Sequence, residues 1–372
     1  MQLLNGTINE FLAFITDKKL AGFGASIMPK EFCEDYPYYH FEERFSFFMD
    51  NDPKKHGGDI TIKERKIPIL SVDDGIKQME RDTVLLITSY YYIEIVEQLN
   101  GITALDSTAC FILPLFEQYK PIHFSADAYV SNETTAQIPA TIHYCWFGKN
   151  TIPQSDRECI ESWKKYCPNM KIMEWNESNF DVASVPYMKE AYESQKWAFV
   201  SDYARLDIIY RFGGLYFDTD VELIRNVDDL LHLDAFCAFD MYRDVNTGLG
   251  FGARPGNRLV CEMRDMYHDM RFLISGGGYD ETPCTKIQTR FLKTRGLITD
   301  GNLQSVANML VFPVEFFCPI DLWSGLLHTT VNTYTIHRFG SSWWSDEKKA
   351  IDTVRRLQTR ELLAQCISVE CR

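Results

Sequence analysis

Apolar and polar positions change rhythm along this chain. In the first part, short apolar runs such as LAGF, RFSFFM, DTVLLIT and ACFILPLF stand between stretches of helical spacing such as SYYYIEIVEQLN. Apolar runs this short, closed by turn residues and followed by amphipathic stretches, predict buried parallel strands alternating with helices. Residues 1–130 are therefore expected to form a small Rossmann-like α/β domain. From about Lys120 to Gln137 the text turns polar and irregular, SADAYVSNETTAQ, and marks a linker. A second domain is expected over 131–345. ATIHYCWF alternates as a strand does, and Gly148, Asn150 and Pro153 mark the loop after it. SDRECIESWKKYCP predicts a helix with Ser155 as N-cap and Pro168 past its end. KIMEWN predicts a strand. YMKEAYESQKWAFVSDYARLDIIYRF predicts a long helical stretch, broken near Gln195 and ended by Gly213. After Asp346 the chain reads as a separate amphipathic C-terminal helix, 346–372. The fold class is α/β.

Composition narrows the function. The 372 residues are 45% hydrophobic and 24% charged, enough for one large core or two smaller ones. A net charge of −14 argues against nucleic-acid binding, and a phosphorylated substrate would need a local cation to offset that field. The 11 cysteines form no CxxC and no repeating spacing, which predicts reduced thiols and a cytoplasmic location. The N-terminus has no basic segment followed by an apolar one, and no run approaches the ~18 apolar residues of a membrane span. Work at a membrane is expected to take place on its inner surface, by peripheral association.

Two places carry candidate chemistry. The first is the turn after LAGF. Gly22 and Gly24 give GxG, but Ile27 stands where the dinucleotide fingerprint needs its third glycine. Asp50 ends the next strand at a spacing that suits a ribose-binding acid. The incomplete motif favours a structural turn.

The second is RFGGLYFDTDVEL, Arg211 to Leu223. Asp218, Asp220 and Glu222 fall at alternate positions after an apolar start, so a continuous strand would put all three on one face. Carboxylates so close repel, and a divalent cation removes the conflict. Oxygen ligands on one face suit Mg²⁺ or Mn²⁺, which keep positions open for phosphates. Upstream, Asp202 and Arg205 share a helix face. They form either an ordinary ion pair or a carboxylate and a guanidinium placed to grip sugar hydroxyls. A phosphohydrolase with Asp218 as nucleophile is a rival reading, although Glu222 stands where that motif carries Thr. An oxidoreductase acting through the first domain is another, and a non-catalytic sugar-binding module a third.

IPATIHYCWFG, CIESWKKYCPNMKIMEWNESNFD, WAFVSDYARLDIIYRFGGLYFDTDVEL and IHRFGSSW occur in that order. Together they resemble the DXD-containing sugar transferases of glycosyltransferase family 32, a group that includes capsular-polysaccharide transferases and is similar to the large clostridial glucosylating toxins. The resemblance covers residues 138–345. In the first domain, MDNDPKKHG resembles a segment of Rossmann-like domains fused to bacterial sugar-modifying enzymes. The resemblance to family 32 implies a GT-A fold and a metal-dependent, retaining hexosyl transfer. Its donor would be a UDP-sugar, its acceptor a bacterial surface glycan or lipid-linked glycan, and its cofactor Mn²⁺ or Mg²⁺. It implies that Trp146 stacks on the base and that Asp202 and Arg205 hold the donor sugar. Asp218 would contact ribose or metal, Asp220 and His337 would ligate the metal, and Ser342 and Trp343 would close over the diphosphate. Asp218, Asp220 and Arg205 are thus the candidate catalytic residues. Similar sequences carry a second His where this chain has Arg338, which leaves that guanidinium for a phosphate.

Overall fold

The computed structural model describes residues 1–119, 122–125, 137–339 and 346–369. The chain divides into two compact units, of which the first comprises Met1–Gln118, Asp321–Leu326 and the described C-terminal residues 346–369. Its strands, numbered along the whole chain, are β1 (Gln2–Asn5), β2 (Lys19–Phe23), β3 (Phe45–Met49), β4 (Asp59–Ile62), β5 (Arg65–Leu70), β6 (Thr83–Ile87), β7 (Ala109–Ile112) and β17 (Ile367–Ser368). They form one sheet in the order β17-β1-β7-β6-β2-β3-β5-β4, parallel throughout except for β4 against β5. Every residue of β6 is buried. Val84 and Leu86 pack with Phe11, Phe32 and Phe48, while Leu85 and Ile87 pack with Phe47, Tyr92 and Val96. Alternate side chains of one strand thus enter two cores, as a sheet covered on both faces requires.

The tail does not stand alone. Helix Asp346–Leu363 belongs to the first unit, and β17 after it extends the sheet beside β1. The Thr359 hydroxyl lies 2.7 Å from that of Tyr92, and Arg355 bonds Glu94 and the Tyr90 carbonyl. The physical reason is that an amphipathic helix is stable chiefly through the core it covers. Asp50 is a clamp in this unit. Its Oδ2 accepts from Ala25 N–H at 2.9 Å and Lys55 Nζ at 2.8 Å, and its Oδ1 from Asp52 N–H at 2.9 Å.

The second unit contains Tyr119–Ile320 and returns for the segment from Leu327 through β16. It holds β8 (Thr141–Cys145), β9 (Lys171–Trp175), β10 (Gly214–Tyr216), β11 (Val221–Leu223), β12 (Ala235–Ala238), β13 (Phe251–Ala253), β14 (Gln304–Val306), β15 (Met309–Phe312) and β16 (Thr335–His337). Seven of these strands make a mixed sheet ordered β14-β15-β12-β13-β10-β8-β9, and β11 pairs with β16 apart from it. This is an α/β arrangement, the fold class expected. β8, β10 and β12 run the same way, because β8 and β10 are parallel and β13 is antiparallel to both β10 and β12. Their C-terminal ends therefore share one edge, where sheets of this class bind ligands. The helical stretch breaks as expected into Pro186–Glu193 and Trp197–Phe212, with Gln195 between them at φ 58°. Ser155 is not an N-cap: that helix starts at Gln154, and the Ser155 hydroxyl bonds Asp156 instead.

Candidate active site

The site begins at the diglycine. Gly213 and Gly214 have φ 65° and 98°. A Cβ on Gly213 would lie 2.6 Å from the Pro255 ring, and one on Gly214 would lie 2.7 Å from the Thr141 carbonyl oxygen. Both the backbone angle and the space demand glycine. His143 of β8 secures the turn. Its Nδ1 accepts from Trp175 Nε1–H at 3.0 Å, which leaves Nε2–H to donate to the Gly213 carbonyl at 3.0 Å. Burial pushes the pKa of this imidazole down to about 4, so the ring is neutral.

The turn joins helix Trp197–Phe212 to β10 and sets Asp202 and Arg205 against the strand's end. Both are buried, at 5% and 4% exposure. Arg205 Nη2 lies 3.3 Å from Asp202 Oδ1 and 3.3 Å from Asp218 Oδ1. The guanidinium stands 5.0 Å from the centroid of the Tyr216 ring, and the Tyr216 hydroxyl donates to Asp218 Oδ1 at 3.0 Å. Burial opposes the charge on Arg205, but the Asp218 and Asp202 carboxylates outweigh it and hold the group cationic. Burial pushes the Asp202 pKa up to about 6, and Arg205 offsets only part of that. The Cys284 thiol, at the start of helix Cys284–Lys293, hydrogen-bonds to Asp202 as well. Gly248 closes the other side. Its carbonyl accepts Asp218 N–H at 2.9 Å, and a Cβ there would fall 2.0 Å from Asp218 Oδ2.

The stack of three carboxylates on one strand face is not what forms. β10 ends at Tyr216, residues 217–220 turn, and Val221 N–H closes the turn on the Asp218 carbonyl at 3.1 Å before β11 begins. The alternation rule holds only while a strand continues. Each carboxylate meets its own basic side chain: Asp218 meets Arg205, Asp220 Oδ1 lies 3.1 Å from His337 Nε2, and Glu222 binds Arg338. The β11–β16 register makes the second pair, because it sets Val221 opposite His337. Burial opposes a proton on His337, yet Asp220, with Asp218 and Asp240 behind it, raises its pKa. His337 Nδ1 is buried without a partner. Among the described residues no three His, Cys, Asp or Glu side chains gather as one metal-ligating group. The expected set of Asp218, Asp220 and His337 is divided between the Arg205 cluster and the Asp220–His337 pair.

Trp146 follows β8 at the same edge and is not a core residue. It is half-buried, and its Nε1–H donates to the Asn150 carbonyl at 2.6 Å. Ser342 and Trp343 lie outside the described residues. Sequence reasoning missed several members. Asp240, just past β12, is buried, and burial together with Asp244 pushes its pKa up to about 7. The signal that found Asp218, an acid ending an apolar strand, was present there too in DAFCAFD. Asp156 accepts the Thr219 hydroxyl at 2.7 Å and so holds the residue between the two aspartates. Nothing in the local sequence announces that contact, nor those of Tyr216, Gly248 and Cys284.

A buried carboxylate and guanidinium beside a half-exposed carboxylate, at the strand ends of an α/β sheet, is the kind of site a transferase of polar, hydroxyl-rich groups needs. The family described as "Glycosyltransferase sugar-binding region containing DXD motif" matches residues 153–237, which hold Asp202, Arg205, Asp218 and Asp220. An uncharacterized glycosyltransferase of Acanthamoeba polyphaga mimivirus is 30% identical over 224 residues, 55% of this chain and 84% of that protein. The chain belongs to this family of DXD-containing glycosyltransferases. Inositol phosphoceramide mannosyltransferase 3 of Schizosaccharomyces pombe is 31% identical over 114 residues, which span 28% of this chain and only 30% of that one. Inositol phosphoceramide mannosyltransferase 1 of the same organism is 24% identical over 244 residues, 61% of this chain and 70% of that one. Membership of this family supports a transferase over the phosphohydrolase and non-catalytic readings.

Proposed function

We propose that this protein moves a hexose from a nucleotide sugar, UDP-linked, to a hydroxyl of a glycan or lipid-linked glycan, with retention of configuration and with Mn²⁺ or Mg²⁺ bound. The observation that carries this reading is the cluster of Asp202, Arg205 and Asp218 at the end of β10. There a guanidinium that can donate and a carboxylate that can accept are held together out of bulk water. Sugar hydroxyls both donate and accept, so they match the pair.

The side chains also fit a hard divalent cation. Asp220 and His337 are already in contact, and His337 Nδ1 is a buried polar atom without a partner. Asp220 and His337 would hold the ion, with Asp218 reaching it or the ribose. Such an ion, when bound, offsets the charge that develops on the leaving diphosphate. Trp146, at the neighbouring strand end, would take the base. Arg338 would have to exchange Glu222 for a phosphate. The acceptor oxygen forms its bond to the anomeric carbon as the bond to the diphosphate oxygen breaks. The acceptor proton passes to that leaving oxygen on the same face, which leaves the configuration retained without a protein nucleophile.

The capsular type of family 32 makes the acceptor a bacterial surface glycan. The names of the two yeast relatives add mannose as a hexose and a lipid-borne acceptor, and a lipid-linked glycan is compatible with both. Work at the inner face of a membrane would be peripheral, and no described helix is long and apolar enough to cross one. The second unit would carry the chemistry and the first would serve acceptor choice or assembly. The test is hydrolysis of a panel of UDP- and GDP-hexoses with Mn²⁺ and with EDTA. Hydrolysis of one UDP-hexose with Mn²⁺ only is expected. Equal hydrolysis in EDTA would remove the metal, and a preference for GDP-mannose would replace the donor.

A further inference from the structure

The second unit also buries polar groups that the reaction described above does not use. Tyr187 and Tyr267 are fully buried, and neither hydroxyl has a hydrogen-bond partner. Their rings meet edge to face with centroids 5.1 Å apart. Both phenols lie within electrostatic reach of Asp202 and Cys284, and Tyr267 within that of Arg205 too. Gln288 follows Cys284 by one helical turn and so shares its side of helix Cys284–Lys293. It too is fully buried, with both Nε2 and Oε1 unpaired.

Interiors rarely leave such groups dry. A buried donor or acceptor without a partner carries the full cost of desolvation, and buried water normally satisfies it. Asp202 has acceptor capacity to spare. Arg205 divides one guanidinium between it and Asp218, and a thiol is a weak donor. We propose that Tyr187, Tyr267 and Gln288 are positioning residues which, through ordered buried water, hold the Asp202 carboxylate in the orientation that accepts a donor-sugar hydroxyl. Phenols supply hydrogen-bond donors, and the carboxamide of Gln288 both donates and accepts, so it can tie the water in place. The proposal rests on the reading of Asp202 and Arg205 as the grip on the donor sugar.

The test removes the polar atoms and keeps the shapes. Tyr267→Phe and Gln288→Leu are combined in the full chain, with Tyr187→Phe as an independent variant. Each is assayed with the UDP- or GDP-hexose that the wild type hydrolyses fastest, and with free UDP or GDP. Loss of roughly tenfold or more in kcat/KM for the nucleotide hexose is expected, with free-nucleotide affinity held within about twofold. The circular dichroism spectrum should match the wild type, because the side-chain shapes are kept, and the deciding readout is the split between the two ligands. A purely structural role would lower the melting temperature and weaken both ligands alike. A high-resolution crystal structure should show water bonded to the Tyr187 and Tyr267 hydroxyls, and a dry pocket would overturn the proposal. So would variants that keep kcat/KM within about twofold, and Asp202→Asn then separates the two readings. If that change alone costs about a hundredfold, only the positioning role falls. If it costs nothing, the sugar grip falls as well.

Discussion

Asp50 of the first unit and the aspartates of the second stand in matching places. Each follows an apolar strand of an α/β sheet, near glycines, where ligands bind in such folds. Their partners differ. Asp50 is satisfied by two backbone N–H groups and Lys55, all from loops beside its own strand end. Burial works against its charge, yet these donors hold its pKa below the ordinary carboxylate value. Asp218 and Asp220 lean instead on side chains from elsewhere, Arg205 and His337. A carboxylate consumed by backbone donors is part of the architecture, because those donors cannot leave without unfolding a loop. A carboxylate held by a guanidinium or an imidazole can exchange that partner for a sugar, a ribose or a cation.

The sharpest break would come from Asp220→Asn. Donor turnover should fall by about a thousandfold or more, with Mn²⁺ affinity reduced and the circular dichroism spectrum unchanged. Wild-type turnover in this variant would place the metal site elsewhere. His143, which secures the turn into the site, gives the next effect. Its folded pKa lies below the ordinary value of 6.5 at about 4, so the unfolded chain binds the extra proton between those values. Stability is complete above about pH 6.5 and is lost as pH falls toward 4, by about 3 kcal/mol at most. Urea unfolding across that window should show a loss in the wild type that is correspondingly smaller in His143→Gln; equal slopes would mean the ring is not held neutral.

Arg205→Ala should reduce kcat/KM for the intact donor by about fiftyfold, or ~2.3 kcal/mol, while free UDP binds within about threefold of the wild type. Titration of the two ligands separately decides this, and equal losses would make the residue a structural ion-pair partner. The smallest effect is predicted for Asp50→Asn, which should cost the first unit about 2 kcal/mol through its lost charge-assisted bonds. Donor hydrolysis should be unchanged. If it falls instead, the contrast between the two strand ends is wrong and Asp50 belongs to the chemistry.

The sequence alone determined much of this protein, because those parts depend on short-range physics. Apolar runs bounded by turns gave the strands, and helical spacing gave the helices and the break at Gln195. The diglycine announced a turn that no side chain could make. Asp202 and Arg205 share a helix face by spacing alone, and their salt bridge is present. What lay out of reach depended on where the chain returns. The tail joins the first sheet because β1 offers a free edge and the sheet an uncovered face, neither of which a local window contains. Alternation put Asp218, Asp220 and Glu222 together, but a turn after Tyr216 ended the strand and gave each its own partner. His337 reaches Asp220 only through the register of β11 on β16. Asp240, Cys284, Tyr187 and Tyr267 come near these groups because three-dimensional packing, and no periodicity, sets which side chains share a buried space.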